Sequence, residues 1–110
     1  HKVWFNHTIQ SPNIHVYIIN HNNNKVGLIR LNKNKREGDF KITIYLLKKY
    51  QKRGIGTNSL SKILKLKKFK NSIFRAEVII INKNSLKFFL QLGFEIYRTN
   101  KKLYFLKFKS

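Results

Sequence analysis

Two hydrophobic periods take turns along the chain. Residues 14–19 and 26–31 are apolar and rich in β-branched side chains, and the polar run Asn20-His21-Asn22-Asn23-Asn24 between them predicts a hairpin. Residues 40–47 set Ile42, Ile44 and Leu46 against Lys41, Thr43 and Tyr45, the period of a strand with one buried face. From Gly56 the period lengthens. Leu60, Ile63 and Leu64 recur at helical spacing, while Lys62, Lys65, Lys67 and Lys68 take much of the remainder. Residues 73–81, centred on Val78-Ile79-Ile80-Ile81, form a nearly continuous apolar run. It predicts a strand buried on both faces, parallel to strand 40–47 and joined to it through the helix as a right-handed β-α-β unit. Leu86, Phe89 and Leu90 mark a shorter helix, with Asn82 or Ser85 placed to cap its start and Gly93 to end it. Residues 94–98 and 103–108 close the chain as a hairpin. The opening segment, residues 1–9 with Val3, Trp4, Phe5 and Ile9, reads as the end of a helix, followed by a turn at Ser11-Pro12-Asn13.

Candidate chemistry concentrates between the third strand and the first full helix. Tyr45-Leu46-Leu47-Lys48-Lys49-Tyr50-Gln51-Lys52-Arg53-Gly54-Ile55-Gly56-Thr57 reads as strand end, basic turn, glycine-spaced loop and helix start. Gly54 and Gly56 permit backbone angles and close approaches that a Cβ forbids, so consecutive amides can point at one anion. The following helix adds its unpaired N-terminal donors and the positive end of its dipole. Lys48, Lys49, Lys52 and Arg53 supply charge beside it, which suits a ligand with more than one phosphate. No Gly-Lys-Ser/Thr is present, which excludes a P-loop, and a third glycine at dinucleotide spacing is missing.

Composition narrows the class. At 110 residues the chain is one domain's worth. It has no cysteine, and its four histidines lack ligand-like spacing to carboxylates, so neither a disulfide nor a metal is expected. No apolar run approaches the roughly 18 to 20 residues that span a bilayer, and no signal-peptide pattern opens the chain, so the expectation is a soluble, cytoplasmic protein. The sequence contains no methionine and begins at His1, which reads as an N-terminally truncated chain. The net charge is +20, from 24 Lys and Arg against 4 Asp and Glu. The basic residues are spread over nearly every segment, which points to compositional drift more than to a nucleic-acid stripe. The charge still favours anionic ligands in general.

Gln51-x-x-Gly54-x-Gly56 directly after an apolar strand resembles the acyl-CoA pyrophosphate loop of the GNAT superfamily of N-acyltransferases. Asn82-Lys83-Asn84-Ser85-Leu86-Lys87-Phe88-Phe89-Leu90-Gln91-Leu92-Gly93-Phe94 is similar to a second family segment, which runs Asn, small residue, aromatic, then Leu-Gly-Phe at matching spacings. The order of elements is that of this fold from its second strand onward. The resemblance implies an α/β (α+β) fold: a mixed central sheet with a splayed parallel strand pair and flanking helices. It implies a single domain over residues 1–110 that lacks the family's first strand and most of its first helical region. A narrower resemblance rests on His1-x-x-Trp4-Phe5, the hairpin, and Val26-Gly27-Leu28-Ile29-Arg30. It is similar to the branch that acetylates nucleotide-linked amino sugars, the pseudaminic and legionaminic acid pathway type used for surface glycans.

What the resemblance implies is direct acetyl transfer from acetyl-CoA to a primary amine, with an amino sugar on a nucleotide as favoured acceptor. Backbone groups of Tyr45, Leu46 and Leu47 would hold the thioester end, an N–H near Leu46 serving the oxyanion. Amides of Gln51, Lys52, Arg53, Gly54, Ile55, Gly56 and Thr57 would hold the pyrophosphate. Asn82 would bond the pantetheine arm, with Ser85 and Phe89 also on the cofactor. Phe89 stands where many relatives carry a tyrosine that protonates the departing thiolate; phenylalanine has no proton to give, so either water substitutes or the chain is weakened as a catalyst. Glu77, on a central strand, is the candidate general base, and an ordinary ion pair with a nearby cation explains it equally well. Lys41 stands where many relatives have a carboxylate, and contact with a substrate phosphate is one role open to it. His1, Arg30 and Asn32 are candidate substrate contacts. The rival readings are acetylation of a protein or ribosomal amine, a non-catalytic CoA-binding domain, and a basic nucleic-acid-binding module.

Overall fold

The computed structural model describes residues 3–110. Seven strands form one mixed sheet: β1 (Val3–Ser11), β2 (Ile14–His21), β3 (Asn24–Lys33), β4 (Phe40–Leu46), β5 (Ile73–Ile79), β6 (Glu95–Thr99) and β7 (Leu103–Lys109). Their order across the sheet is β1-β2-β3-β4-β5-β7-β6. Helix α1 (Ile55–Leu64) joins β4 to β5, and α2 (Lys83–Gln91) joins β5 to β6. Leu60, Ile63 and Leu64 of α1 and Phe89 of α2 belong to the same core cluster as Ile29, Leu31, Ile42, Phe74, Ala76 and Leu106. Both helices therefore cover one face of the sheet. Neither of these helices lies on the other face.

The β2–β3 hairpin forms as expected, and the asparagine run explains its tightness. Asn22 and Asn23 both sit at positive φ, 50° and 66°, the conformation a two-residue turn of this hand requires and that asparagine tolerates. Strand β4 also matches its pattern: Ile42 is buried, Ile44 and Leu46 are half-buried, and Lys41, Thr43 and Tyr45 point out.

The opening segment does not. It is strand β1, antiparallel to β2, with Phe5 opposite Ile19 and His7 opposite Tyr17. Phe5 and His7 alternate onto the core side with the period of a strand, and Phe5 meets Tyr17 edge-on at 6.1 Å. The buried Asn20 side chain ties the pair, donating to the Trp4 carbonyl at 3.3 Å and to Asn6 Oδ1 at 3.0 Å. His1 lies outside the described residues.

Strand β5 is likewise buried on one face only. Phe74, Ala76 and Val78 face the helices, while Ile79 is 56% and Ile81 86% exposed. The apolar run ends the strand at Ile79, and with both helices on one side the outward isoleucines remain uncovered. Leu90, expected on the inner face of α2, is exposed as well.

Strands β4 and β5 are parallel, and their register comprises two pairs, Phe40 with Phe74 and Lys41 with Arg75. An aromatic cluster holds that end closed: Phe40 stacks on Phe74 at 5.6 Å, and Phe69 meets them edge-on at 5.2 and 5.7 Å. Beyond it the two strands part.

A histidine pair across β1 and β2 makes stability depend on pH. Lys68 Nζ donates to His7 Nδ1 at 3.2 Å, which leaves His7 Nε2 to donate to His15 Nδ1 at 3.0 Å. Both imidazoles are thereby held neutral, and burial, with Lys68 nearby, lowers the pKa of each. A lowered folded pKa contributes stability that is present above the unfolded value near 6.5 and lost as pH falls toward the folded value. The melting temperature should fall from pH 7.5 to 5, and a His7→Gln/His15→Gln chain should lose much of that slope.

Candidate active site

Beyond the Lys41–Arg75 pair, the main chain of β4 has two sides. Leu47 donates its N–H to the Val26 carbonyl at 2.8 Å, and Leu28 lies opposite Tyr45. By the alternation of an antiparallel ladder, Tyr45 and Leu47 turn their backbone groups to β3, whereas Ile44 and Leu46 turn theirs to the gap beside β5. Of the three residues expected to hold a thioester through their backbone, Leu46 alone faces the gap. Its carbonyl accepts a hydrogen bond from Gln51 Nε2 at 2.9 Å. An unpaired strand edge of this kind is a template for an extended ligand.

The loop after β4 is anchored from below. Tyr50 ends a 3-10 turn (Lys48–Tyr50) and is buried, with Lys49 and Arg53 over its ring at 5.2 and 5.4 Å. Ile55, the first residue of α1, is also in the core. Between these anchors Gly54 adopts φ 77°, ψ −3° as N-cap of α1, a left-handed conformation that glycine alone takes without strain. No side chain caps α1 and its first turn carries no acidic residue. Its leading amides are therefore left to water or a ligand.

A groove of about 740 Å³ joins the gap to this helix start. Of the residues proposed from the sequence to hold a cofactor, Leu46, Gln51, Lys52, Gly54, Gly56, Thr57, Asn82 and Ser85 line it. Asn82 is the N-cap of α2, its Oδ1 accepting from the Ser85 amide at 3.0 Å. Tyr45, Leu47, Arg53, Ile55 and Phe89 are not among the lining side chains. Arg53 stacks on Tyr50 instead, and Ile55 and Phe89 are buried. Phe88 takes the place expected of Phe89. Successive helical residues point about 100° apart, so the face that carries Ser85 also carries Asn84, Phe88 and Gln91, all of which line the groove. Phe89 turns to the core against Phe94 at 5.1 Å. Sequence reasoning also missed Ile44 and Lys87, although Ile44 follows from Leu46 by the strand period of two.

Glu77 does not line this groove. It points to the helix-free face and pairs with Lys41 at 3.4 Å, with side chains 39% and 57% exposed. Arg30, whose Nε donates to Asn32 Oδ1 at 3.0 Å, shares that face, since Arg30 lies opposite Thr43 and Asn32 opposite Lys41. The candidate substrate contacts Arg30, Asn32 and Lys41 thus gather with Glu77 on one side of the sheet, and the anion cradle opens on the other. Among the described residues, no group of three His, Cys, Asp or Glu is arranged to hold a metal ion. No helix among them is long and apolar enough to cross a membrane.

Residues 1–94 match the model of the acetyltransferase (GNAT) family. Among solved structures, the chain is similar to the GNAT domain of PAT from S. lividans, with TM-score 0.77 at 17% identity over 89% of this chain and 61% of that one. It is similar to the Campylobacter jejuni N-acetyltransferase PseH in complex with acetyl coenzyme A, with TM-score 0.73 at 19% identity over 91% of this chain and 70% of PseH. A third is RimL, a ribosomal L7/L12 alpha-N-protein acetyltransferase in complex with coenzyme A, with TM-score 0.80 at 15% identity over 88% and 62%. At such identities the likeness is one of fold, and the chain spans about three fifths of the length of the first and third. No curated protein sequence matches it. The family match over residues 1–94, together with the splayed parallel pair and the glycine loop at the start of α1, establishes that this chain belongs to the acetyltransferase (GNAT) family.

Proposed function

We propose that the chain is an acetyl-CoA-dependent N-acetyltransferase that transfers acetyl directly to a primary amine, with an amino sugar carried on a nucleotide as favoured acceptor. The observation that carries this reading is the meeting of two unsatisfied donor sets in one groove: the Ile44 and Leu46 backbone beside the gap, and the uncapped start of α1. The groove's volume suits a cofactor of this kind.

Acetyl-CoA supplies the activated acetyl group, as a thioester. Gly54 and Gly56 let the loop amides meet its diphosphate, with Lys52 and Lys87 adding charge. Asn82 and Ser85 stand along the pantetheine path on α2. The Leu46 N–H stabilises the charge that develops on the thioester oxygen, because a fixed dipole needs no reorganisation during reaction. The amine approaches from the helix-free face, where Glu77 takes its proton, and Lys41 holds Glu77 in place until then. Much of the acceleration comes from holding amine and thioester together, an effect worth roughly 7 to 11 kcal/mol.

The test is loss of the thioester with acetyl-CoA and a panel of amines, in the parent and in Glu77→Gln. If Glu77 is the base, the variant should lose about 100-fold in kcat/KM at pH 7, the low end for a general base, and recover as pH approaches the amine's own pKa. An exposed ion pair without a catalytic part would leave kcat/KM within about twofold. A second reading, cofactor binding without turnover, is favoured by Phe88, the aromatic side chain that lines the groove from α2, which offers no hydroxyl to the departing thiolate. Tight acetyl-CoA binding with no acceptor turned over would support it.

A further inference from the structure

A second cleft of about 290 Å³ lies on the helix-free face, where β4 and β5 are still paired, and its walls include Lys41, Arg75, Glu77, Tyr97, Arg98 and Phe105. Three of the chain's four carboxylates, Glu37, Asp39 and Glu77, gather around it. Two of them are already matched. Arg75 pairs with the buried Asp39 and, at 2.7 Å, with Glu37. Burial pulls the Arg75 pKa down, but Asp39, with Tyr97 and Glu37, more than offsets it, so the net shift is upward and the cluster stays charged. Arg75 is thus a fixed wall of the cleft.

The groups left for a ligand differ in sign and position. Glu77 and Lys41 share a loose, exposed contact at 3.4 Å. Arg98 lies over the Phe105 ring at 4.1 Å and, among the described residues, pairs with no carboxylate. Stacking restricts the guanidinium while leaving its N–H donors free for an anion. One carboxylate beside two cations matches a molecule that carries both an amine and an anionic group. A polyamine would meet Lys41 and Arg98 in a chain of net charge +20, and a neutral amine would leave Arg98 without a partner.

We propose that this cleft is the acceptor's phosphate site: Arg98 and Lys41 bind a phosphate carried by the same molecule whose amine is presented to Glu77. The acceptor class is then a phosphorylated or nucleotide-linked amine, and Arg98 is a specificity residue. The proposal rests on the acyl-transfer reading above and adds a site on the opposite face from the diphosphate cradle.

The test compares glucosamine with glucosamine 6-phosphate as acceptors, in the parent, in Arg98→Gln, and in Lys62→Gln, which removes one charge from the exposed side of α1. The phosphorylated amine should be preferred at least tenfold in kcat/KM by the parent and by Lys62→Gln. Arg98→Gln should lose most of that preference through KM rather than kcat. Equal use of the two amines, or equal loss on both in Arg98→Gln, would overturn the proposal. A binding arm keeps it decidable without turnover. Inorganic pyrophosphate is titrated into CoA-saturated protein and read by NMR at the Tyr97 and Phe105 rings, where saturable shifts absent from Arg98→Gln are expected. No shift at those rings would count against the site. If CoA itself fails to bind, the acyl-transfer reading fails separately, and the same titration without CoA still decides whether the cleft holds phosphate.

Discussion

Gly54→Glu should abolish detectable acetyl-CoA binding, a loss of at least 100-fold, while leaving a folded chain. A Cβ at Gly54 would meet no atom within 4 Å, so the substitution collides with nothing. Its cost to folding is the left-handed φ of 77°, about 1 to 2 kcal/mol for a residue with a side chain. Its effect on binding is electrostatic and local: a carboxylate is placed at the positive end of α1, where the diphosphate must sit. Gly54→Ala separates the two effects, because it carries the strain without the charge. It should lower the melting temperature by the same few degrees yet weaken binding only several-fold. Calorimetry with acetyl-CoA reads both variants. Equal affinity in parent and Gly54→Glu would move the cofactor away from this loop.

The largest stability effect expected of a small change is Gly27→Ala. Gly27 lies opposite Leu46, and an added Cβ would stand 2.3 Å from the Tyr45 carbonyl oxygen, 2.9 Å from Leu46 Cδ1 and 3.0 Å from Leu46 Cα. Two of these atoms are backbone, so β3 and β4 must separate. Overpacking of this kind costs about 1 to 3 kcal/mol, and contact with backbone puts Gly27→Ala at the upper end. For a domain of this size that is roughly a 10 °C fall in melting temperature. The residue pushed aside is the one whose backbone faces the gap, so acetyl-CoA affinity should fall as well. Gly56→Ala is the contrast. Its Cβ would reach Phe88 Cε1 at 3.4 Å, an ordinary contact, and should cost little stability. A melting temperature for Gly27→Ala within 2 °C of the parent would show that the two strands are not so closely held.

The sequence carried the site's chemistry further than its geometry. Gly54 was legible because a cradle at a helix start needs a residue free to take positive φ, and Asn82 because an asparagine before a helix has one common job. Phe88 and Phe89 were not separable on those grounds. Either neighbour satisfies an aromatic requirement, and the helix phase that decides between them comes from packing against Phe94. The isoleucines of residues 79–81 misled for a related reason. A continuous apolar run states that burial is available, not that a layer exists to provide it, and here both helices fall on one side. The place of Glu77 on a central strand is legible in the sequence, but its face depends on the register with β7, where it lies opposite Phe105. The apolar residues of the β1 segment suit a helix as well as a strand by spacing alone, and only pairing with β2 decides between them.

The central claim is that acetyl-CoA lies between β4 and the start of α1. Amide NMR of the whole chain titrated with acetyl-CoA tests it most directly, since the groups proposed to bind are themselves backbone N–H groups. Saturable shifts should appear at Leu46, at Gly54 and Gly56, and at Ser85 beside the Asn82 cap, while amides of the β6–β7 turn stay in place. Shifts scattered over the lysine-rich surface without saturation, or none at Leu46 and Gly56, would contradict the account.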